Sequence, residues 1–201
     1  MGPTLPPVVR ALLIICVAVF GLQLWLRPTM EMYFALWTPD GGAGVPPFRP
    51  WQLVTSNFLH SGWIHLAVNC MVIYSFGPPL EKLLGPAKFS TYFLVCAVAG
   101  SLLQLLAQIS GFSNALYSLG ASTGTSGLLV AFALAYPQHK IMVFPIPVPL
   151  AAWICVAVFA ALSLLFALTG MVPGIGHFAH LGGMIGGFAL VLYWRLQRVR
   201  R

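Results

Sequence analysis

Six stretches of the chain, approximately 8–26, 55–76, 89–109, 120–136, 150–169 and 177–196, are apolar over nearly the whole of their length. Each has, or nearly has, the roughly 20 residues a helix needs to cross a bilayer core of about 30 Å. The rest of the sequence agrees: 59% of the 201 residues are hydrophobic and 6% are charged, against about 25% charged in a soluble domain. No internal repeat is visible and no room is left for a soluble domain, so the chain reads as one transmembrane domain over 1–201.

The charges set an orientation. Ten Lys/Arg against three Asp/Glu give a formal +7, a balance that could suggest nucleic acid, but the basic residues form no patch interleaved with aromatics. They lie between and beyond the apolar runs. With six spans, one side holds Arg10, Lys82, Lys88, Lys140, Arg195, Arg198, Arg200 and Arg201, and the other only Arg27 and Arg49. The positive-inside rule then places both termini in the cytoplasm, and a bacterial inner membrane is the expected setting. A single Arg before the first run, with no small-x-small cleavage site, reads as an uncleaved anchor helix. Cys16, Cys70, Cys96 and Cys155 all fall inside apolar runs with no C-x-x-C spacing, so they read as small buried hydrophobes.

The longest connection, 27–54, carries Trp37, Phe48 and Trp51 among Pro and Gly breaks, which suits a large loop lying at the membrane interface. Gly-Pro-Pro at 77–79 is expected to end the second helix, and "PQHKIMVFPIPVP" (137–149) to be an extended connection.

Polar groups inside hydrocarbon are costly and are functional candidates by default. Those singled out are His60, His65 and Asn69 in the second run, Ser122 and Ser126 in the fourth, and His177 and His180 in the sixth. At 1.5 Å per residue from the cytoplasmic ends, Ser122 and His180 lie at roughly 22 Å and His65, counted from Gly77, at roughly 18 Å. The fourth run covers only about 25 Å, so its start is expected to be sunken beneath the outer surface. Irregular backbone at that depth needs protein or a water-filled cavity beside it. A wet pocket open to the outside follows.

A serine becomes a nucleophile when a histidine within reach takes its proton. At a helix N-terminus it also sits among free N–H groups that can hold an oxyanion. His65 and Asn69, four apart on one face, could add donors. Glu81 belongs to the other side and Glu31 and Asp40 to the outer loop, so a Ser–His dyad fits better than a triad. The packing reading stands beside this one: membrane serines commonly bond back to carbonyls, and His180, Gly183 and Gly187 share a face on which small residues allow close helix approach. A transporter or metal carrier using His60, His65 and His180 lacks both a repeated half and a carboxylate to balance a cation.

As a set these residues resemble the rhomboid family of intramembrane serine proteases. "HSGWIHLAVN" (60–69) is similar to the family's second-helix pattern, and "PWQLVTSNFLH" (50–60) to the end of its first loop. "FGPPLEKLLG" (76–85) is similar to the turn after helix two, "GASTGTSGLLVAFALAYP" (120–137) to its Gly-x-Ser-Gly segment, and "AHLGGMIGG" (179–187) to its sixth helix. The resemblance implies an all-α bundle of six transmembrane helices with a short sunken fourth helix. It implies Ser122 as nucleophile, His180 as base, and His65, Asn69 and the Ser122 N–H as oxyanion hole, supported by His60, Gly120, Gly183 and Gly187. Substrates would be transmembrane or membrane-anchored proteins in the lipid bilayer, cleaved in or near the membrane helix without metal or cofactor. The alternative is a weak or inactive relative that binds membrane-protein clients. Two positions depart from the family pattern: Thr123 stands where Gly is usual, and Ser126 where an aromatic often packs. A register with Ser126 as nucleophile in "GTSG" (124–127) is disfavoured, because the downstream match supports Ser122 and Ser126 lies one turn deeper. Thr123 is expected to press its side chain toward the sixth helix.

Overall fold

The computed structural model describes residues 4–39, 42–142 and 148–199, with the side chains of 198 and 199 left aside. Asp40, Arg200 and Arg201, the side chain of Arg198, and part of the 137–149 connection lie outside the described residues. Among the described residues the chain is mostly helical. Helix α1 (Pro7–Phe34) opens with proline at its first position, where the missing N–H costs nothing. It kinks at Leu26 (φ −120, ψ 23), two residues before Pro28. The expected loop from residue 27 therefore begins as helix, and an Arg27–Glu31 ion pair of 2.8 Å braces that added turn.

Strand β1 (Leu36–Trp37) later pairs antiparallel with β2 (Tyr117–Ser118), fastening the first loop to the segment ahead of the serine helix. Between them come α2 (Gln52–Thr55), a 3-10 turn (Ser56–Phe58), α3 (Trp63–Leu84) and α4 (Pro86–Ile109). Gly85 separates α3 from α4 with a φ of +78, a conformation that favours glycine, and Pro86 starts α4.

Helix α3 does not stop at Gly-Pro-Pro; it runs through Pro78 and Pro79 for another turn and more. The overriding contacts are tertiary. A Cβ on Gly77 would meet Val9 Cγ2 at 2.6 Å, and the buried Glu81 carboxylate accepts from Val8 N (3.0 Å) and Val9 N (2.8 Å). A carboxylate on the free N–H groups of a helix start is favourable in charge and in hydrogen bonding. Gly77 therefore does not mark the end of the helix, and the depth of His65 counted from it does not hold.

Helix α5 (Ser122–Ala135) has 14 residues, or about 21 Å, and nearly all of it is buried. Strands β3 (Lys140–Ile141) and β4 (Leu150–Ala151) pair across the expected extended connection and lead into α6 (Ala152–Thr169). Helix α7 (His177–Val199) then lies against α4 and α5. Its glycines make that approach possible. A Cβ on Gly182 would lie 2.7 Å from the Ala99 carbonyl, and one on Gly186 2.5 Å from Ala99 Cβ. Gly187 faces Tyr92 and Cys96 in the same way. Helices α1, α4 and α6 are each long and apolar enough to cross a membrane. The apolar core gathers Val9, Cys16, Ile73, Phe89, Tyr92, Phe93 and Leu128, and all four cysteines are unpaired.

Candidate active site

The backbone turns sharply into α5 at Gly120, whose φ of +129 is one that side chains rarely adopt. Its N–H donates to the Ser56 carbonyl at 2.9 Å. A Cβ there would lie 2.6 Å from His65 Nε2 and 3.5 Å from Ser122 Oγ. The bare glycine thus lets an imidazole from α3 stand beside the hydroxyl that opens α5. Ser122 is the first residue of α5, and no side chain caps that helix start.

The His65 tautomer follows from its neighbour. The Ser61 backbone N–H points at His65 Nδ1 (3.3 Å), and Ser61 Oγ is 3.0 Å from the same atom. An amide N–H can only donate, so Nδ1 accepts and Nε2 carries the proton on the side facing Gly120 and Ser122. Asn69 is buried one turn on. Its Nδ2 donates to the His65 carbonyl (2.9 Å) and its Oδ1 accepts from Thr125 Oγ1 (3.3 Å). One of its two N–H groups is thereby spent on its own helix, and the other remains.

His180 is half-buried on the first turn of α7, its ring 5.5 Å from that of Phe159, and its Nδ1 is buried without a hydrogen-bond partner. Among the described residues no hydrogen bond joins it to Ser122. One turn further, Gly183 lies directly against the Thr123 backbone carbonyl, so α7 rests on the first turn of α5. His177 is tied to the Val172 carbonyl (3.1 Å) and packs on Phe166, in keeping with a polar residue at a helix start.

His60 is 1% exposed, with neither ring nitrogen paired, and meets His65 edge-on at 5.2 Å between centroids. Gln23 of α1 holds its backbone at both ends: His60 N donates to Gln23 Oε1 (2.9 Å) and Gln23 Nε2 donates to the His60 carbonyl (3.2 Å). Gln23 did not figure among the candidates, although an amide in the middle of an apolar run was a signal of the same kind as Asn69. Asn57, also buried, lay inside the second apolar run and carried the same signal, whereas buried Gln52 stands ahead of that run with no periodicity to mark it.

Within "STGTS" the side chain of Thr123 is directed otherwise than expected, and Ser126 is occupied inside the helix. Ser126 is 1% exposed and donates to the Ser122 carbonyl at 2.6 Å, a back-bond within the helix. The side chain of Thr123 is taken up by Asn57 and by Gly100 of α4. Its hydroxyl donates to Asn57 Oδ1, and its methyl lies against Gly100 of α4. The Thr123 backbone carbonyl is what Gly183 of α7 meets, while the Ala179 carbonyl of α7 stands beside Gly100 where the Thr123 side chain packs. The two described carboxylates are engaged elsewhere, Glu31 with Arg27 and Glu81 with the start of α1.

The model of the rhomboid domain family matches residues 47–197. The chain belongs to the rhomboid family. It is an integral membrane protein of a family whose members are generally intramembrane serine proteases. Among curated relatives it is 34% identical to the mitochondrial Rhomboid protein 1 of Saccharomyces cerevisiae, over 94% of this chain and 53% of the relative. It is 31% identical to the mitochondrial RHOMBOID-like protein 6 of Arabidopsis thaliana, over 83% and 50% respectively. Rhomboid-like protease 3 of Toxoplasma gondii is 30% identical over 78% of this chain and 57% of its own. The chain spans about half the length of the curated relatives it matches.

Proposed function

We propose that this rhomboid is an intramembrane serine endopeptidase acting through Ser122 and His180. The observation that carries the reading is that His65 Nε2 and Ser122 Oγ both flank the bare Gly120, at the uncapped start of α5. Ser122 Oγ attacks the scissile carbonyl of a transmembrane or membrane-anchored protein, and its proton passes to His180. The tetrahedral oxyanion is held by the Ser122 N–H, His65 Nε2–H and the second N–H of Asn69. Collapse breaks the C–N bond and returns the proton from His180 to the departing amine. Water then hydrolyses the acyl-serine by the same steps, with His180 again accepting and giving the proton. His60 backs His65 from behind, Gly120 admits it, and Gly183 and Gly187 bring α7 close enough for His180 to act.

In this reading residues 1–201 form one domain whose six long helices all cross the bilayer. The 14-residue α5 starts below the outer surface, where water reaches Ser122. Both termini lie on the basic, cytoplasmic side, and the site opens to the opposite one; a bacterial inner membrane fits that orientation. The test is cleavage of a model single-span substrate by the purified protein in detergent or liposomes. Wild type cleaves it, while Ser122→Ala and His180→Ala, both folded, do not. A folded wild-type protein that binds such substrates and leaves them intact would make it an inactive, client-binding relative instead.

A further inference from the structure

The turn ahead of α3 grips α5 on both sides of Ser122. Two residues before it, Gly120 N donates to the Ser56 carbonyl at 2.9 Å. One residue after it, Thr123 Oγ1 donates to Asn57 Oδ1. Asn57 is itself immobilised. It is 1% exposed, and its Nδ2 lies 3.2 Å from Ser101 Oγ, 3.0 Å from the Leu53 carbonyl and 3.3 Å from the Val54 carbonyl. With its N–H groups directed at those three oxygens, the amide can present only its oxygen to α5, so the Thr123 hydroxyl must be the donor. The opposite flank is shaped to match. A Cβ on Gly100 would lie 2.8 Å from both Thr123 Cβ and Cγ2, so bare Gly100 leaves room for the branched side chain.

We propose that Asn57 and Thr123 form a positioning pair that fixes the rotation of the first turn of α5 and so aims Ser122 Oγ. The inference rests on Ser122 being the nucleophile. Thr123 touches neither substrate nor base; it acts through its chain neighbour. A helix start held only by backbone can turn by a few degrees at little cost, whereas a buried side-chain bond one residue from the nucleophile resists that turn. The departure from glycine at 123 is thereby accounted for: a hydroxyl that would crowd an ordinary helix contact has here a dedicated acceptor and a dedicated gap.

Thr123→Val tests it, because valine keeps the branched shape and removes the donor, leaving Asn57 Oδ1 buried and alone. The expected result is a fall in kcat of about tenfold, since reacting groups displaced by a fraction of an ångström lose rate steeply. KM stays within about twofold, the mark of an interaction that acts on the transition state rather than on binding. The rate at which a fluorophosphonate labels Ser122 falls in parallel. Thr123→Ser keeps the hydroxyl and restores most of both rates. The double variant Asn57→Ala with Thr123→Val loses no more than the worse single one. Thermal unfolding in detergent checks each fold, and Thr123→Ala gives the same reading should the valine variant not fold. Wild-type kcat and labelling rate in Thr123→Val, an equal loss in Thr123→Ser, or multiplicative losses in the double variant would each overturn the pair. Ser122→Ala in the same assay keeps the two claims apart. If it still cleaves, the nucleophile is wrong; if it is inactive while Thr123→Val runs at full rate, only the positioning pair is wrong.

Discussion

The two ends of α3 handle their polar groups in opposite ways. At the basic end the Glu81 carboxylate is buried and its two oxygens take the N–H groups of Val8 and Val9, while nearby Tyr92 donates to the Gly127 carbonyl at 2.8 Å. At the other end His60 leaves both ring nitrogens unpaired and His180 one, and α5 starts without a cap. Desolvated polar groups normally find partners, because leaving them without one costs free energy. Among the described residues, the unmet ring nitrogens of His60 and His180 contrast with the paired Glu81 and Tyr92. Groups left unmet are what a site for a passing oxyanion and proton requires. Under the proposed function, stability is concentrated at one end and reactivity at the other.

Substitutions at the two ends should therefore separate rate from stability. The largest rate effect short of losing the nucleophile is expected at the reactive end. His65→Ala and Asn69→Ala each lower kcat by about 10²–10³, the usual loss for one oxyanion donor. His65→Ala should leave the unfolding temperature in detergent close to that of wild type. Asn69→Ala, which also loses two side-chain hydrogen bonds, should lower it while losing far more rate than fold. Glu81→Ala should do the reverse. It strands two N–H groups at the start of α1 and costs about 1–3 kcal/mol of stability in thermal or denaturant unfolding, while activity per folded molecule is unchanged. Loss of activity beyond loss of fold in Glu81→Ala would break the comparison. The smallest effect is expected at Ser126→Ala, which removes a back-bond to the Ser122 carbonyl and should leave cleavage within about threefold of wild type, as for an ordinary single hydrogen bond.

The helices were legible because twenty apolar residues in a row permit little else, and the glycine face of α7 was legible because small residues at helical spacing imply close approach. What could not be read locally depended on a distant partner. Gly-Pro-Pro is a sound stop signal that Glu81 and Val9 override across 72 residues of chain. The direction of Thr123 hangs on the rotation of α5, which is tied to Asn57, 66 residues earlier. The tautomer of His65 needed only Ser61, four residues away, yet the turn that aims that N–H inward had no sequence signature. Gln23 was visible as an amide among apolar neighbours, but its partner, the His60 backbone, was not.

The central claim is that Ser122, and not Ser126, is the reactive hydroxyl. Reacting the purified protein with a fluorophosphonate and mapping the adduct by mass spectrometry tests it most directly. The account predicts a single adduct on Ser122, formed equally in Ser126→Ala and absent in Ser122→Ala and His180→Ala. An adduct on Ser126, or undiminished labelling of Ser122→Ala, would contradict it.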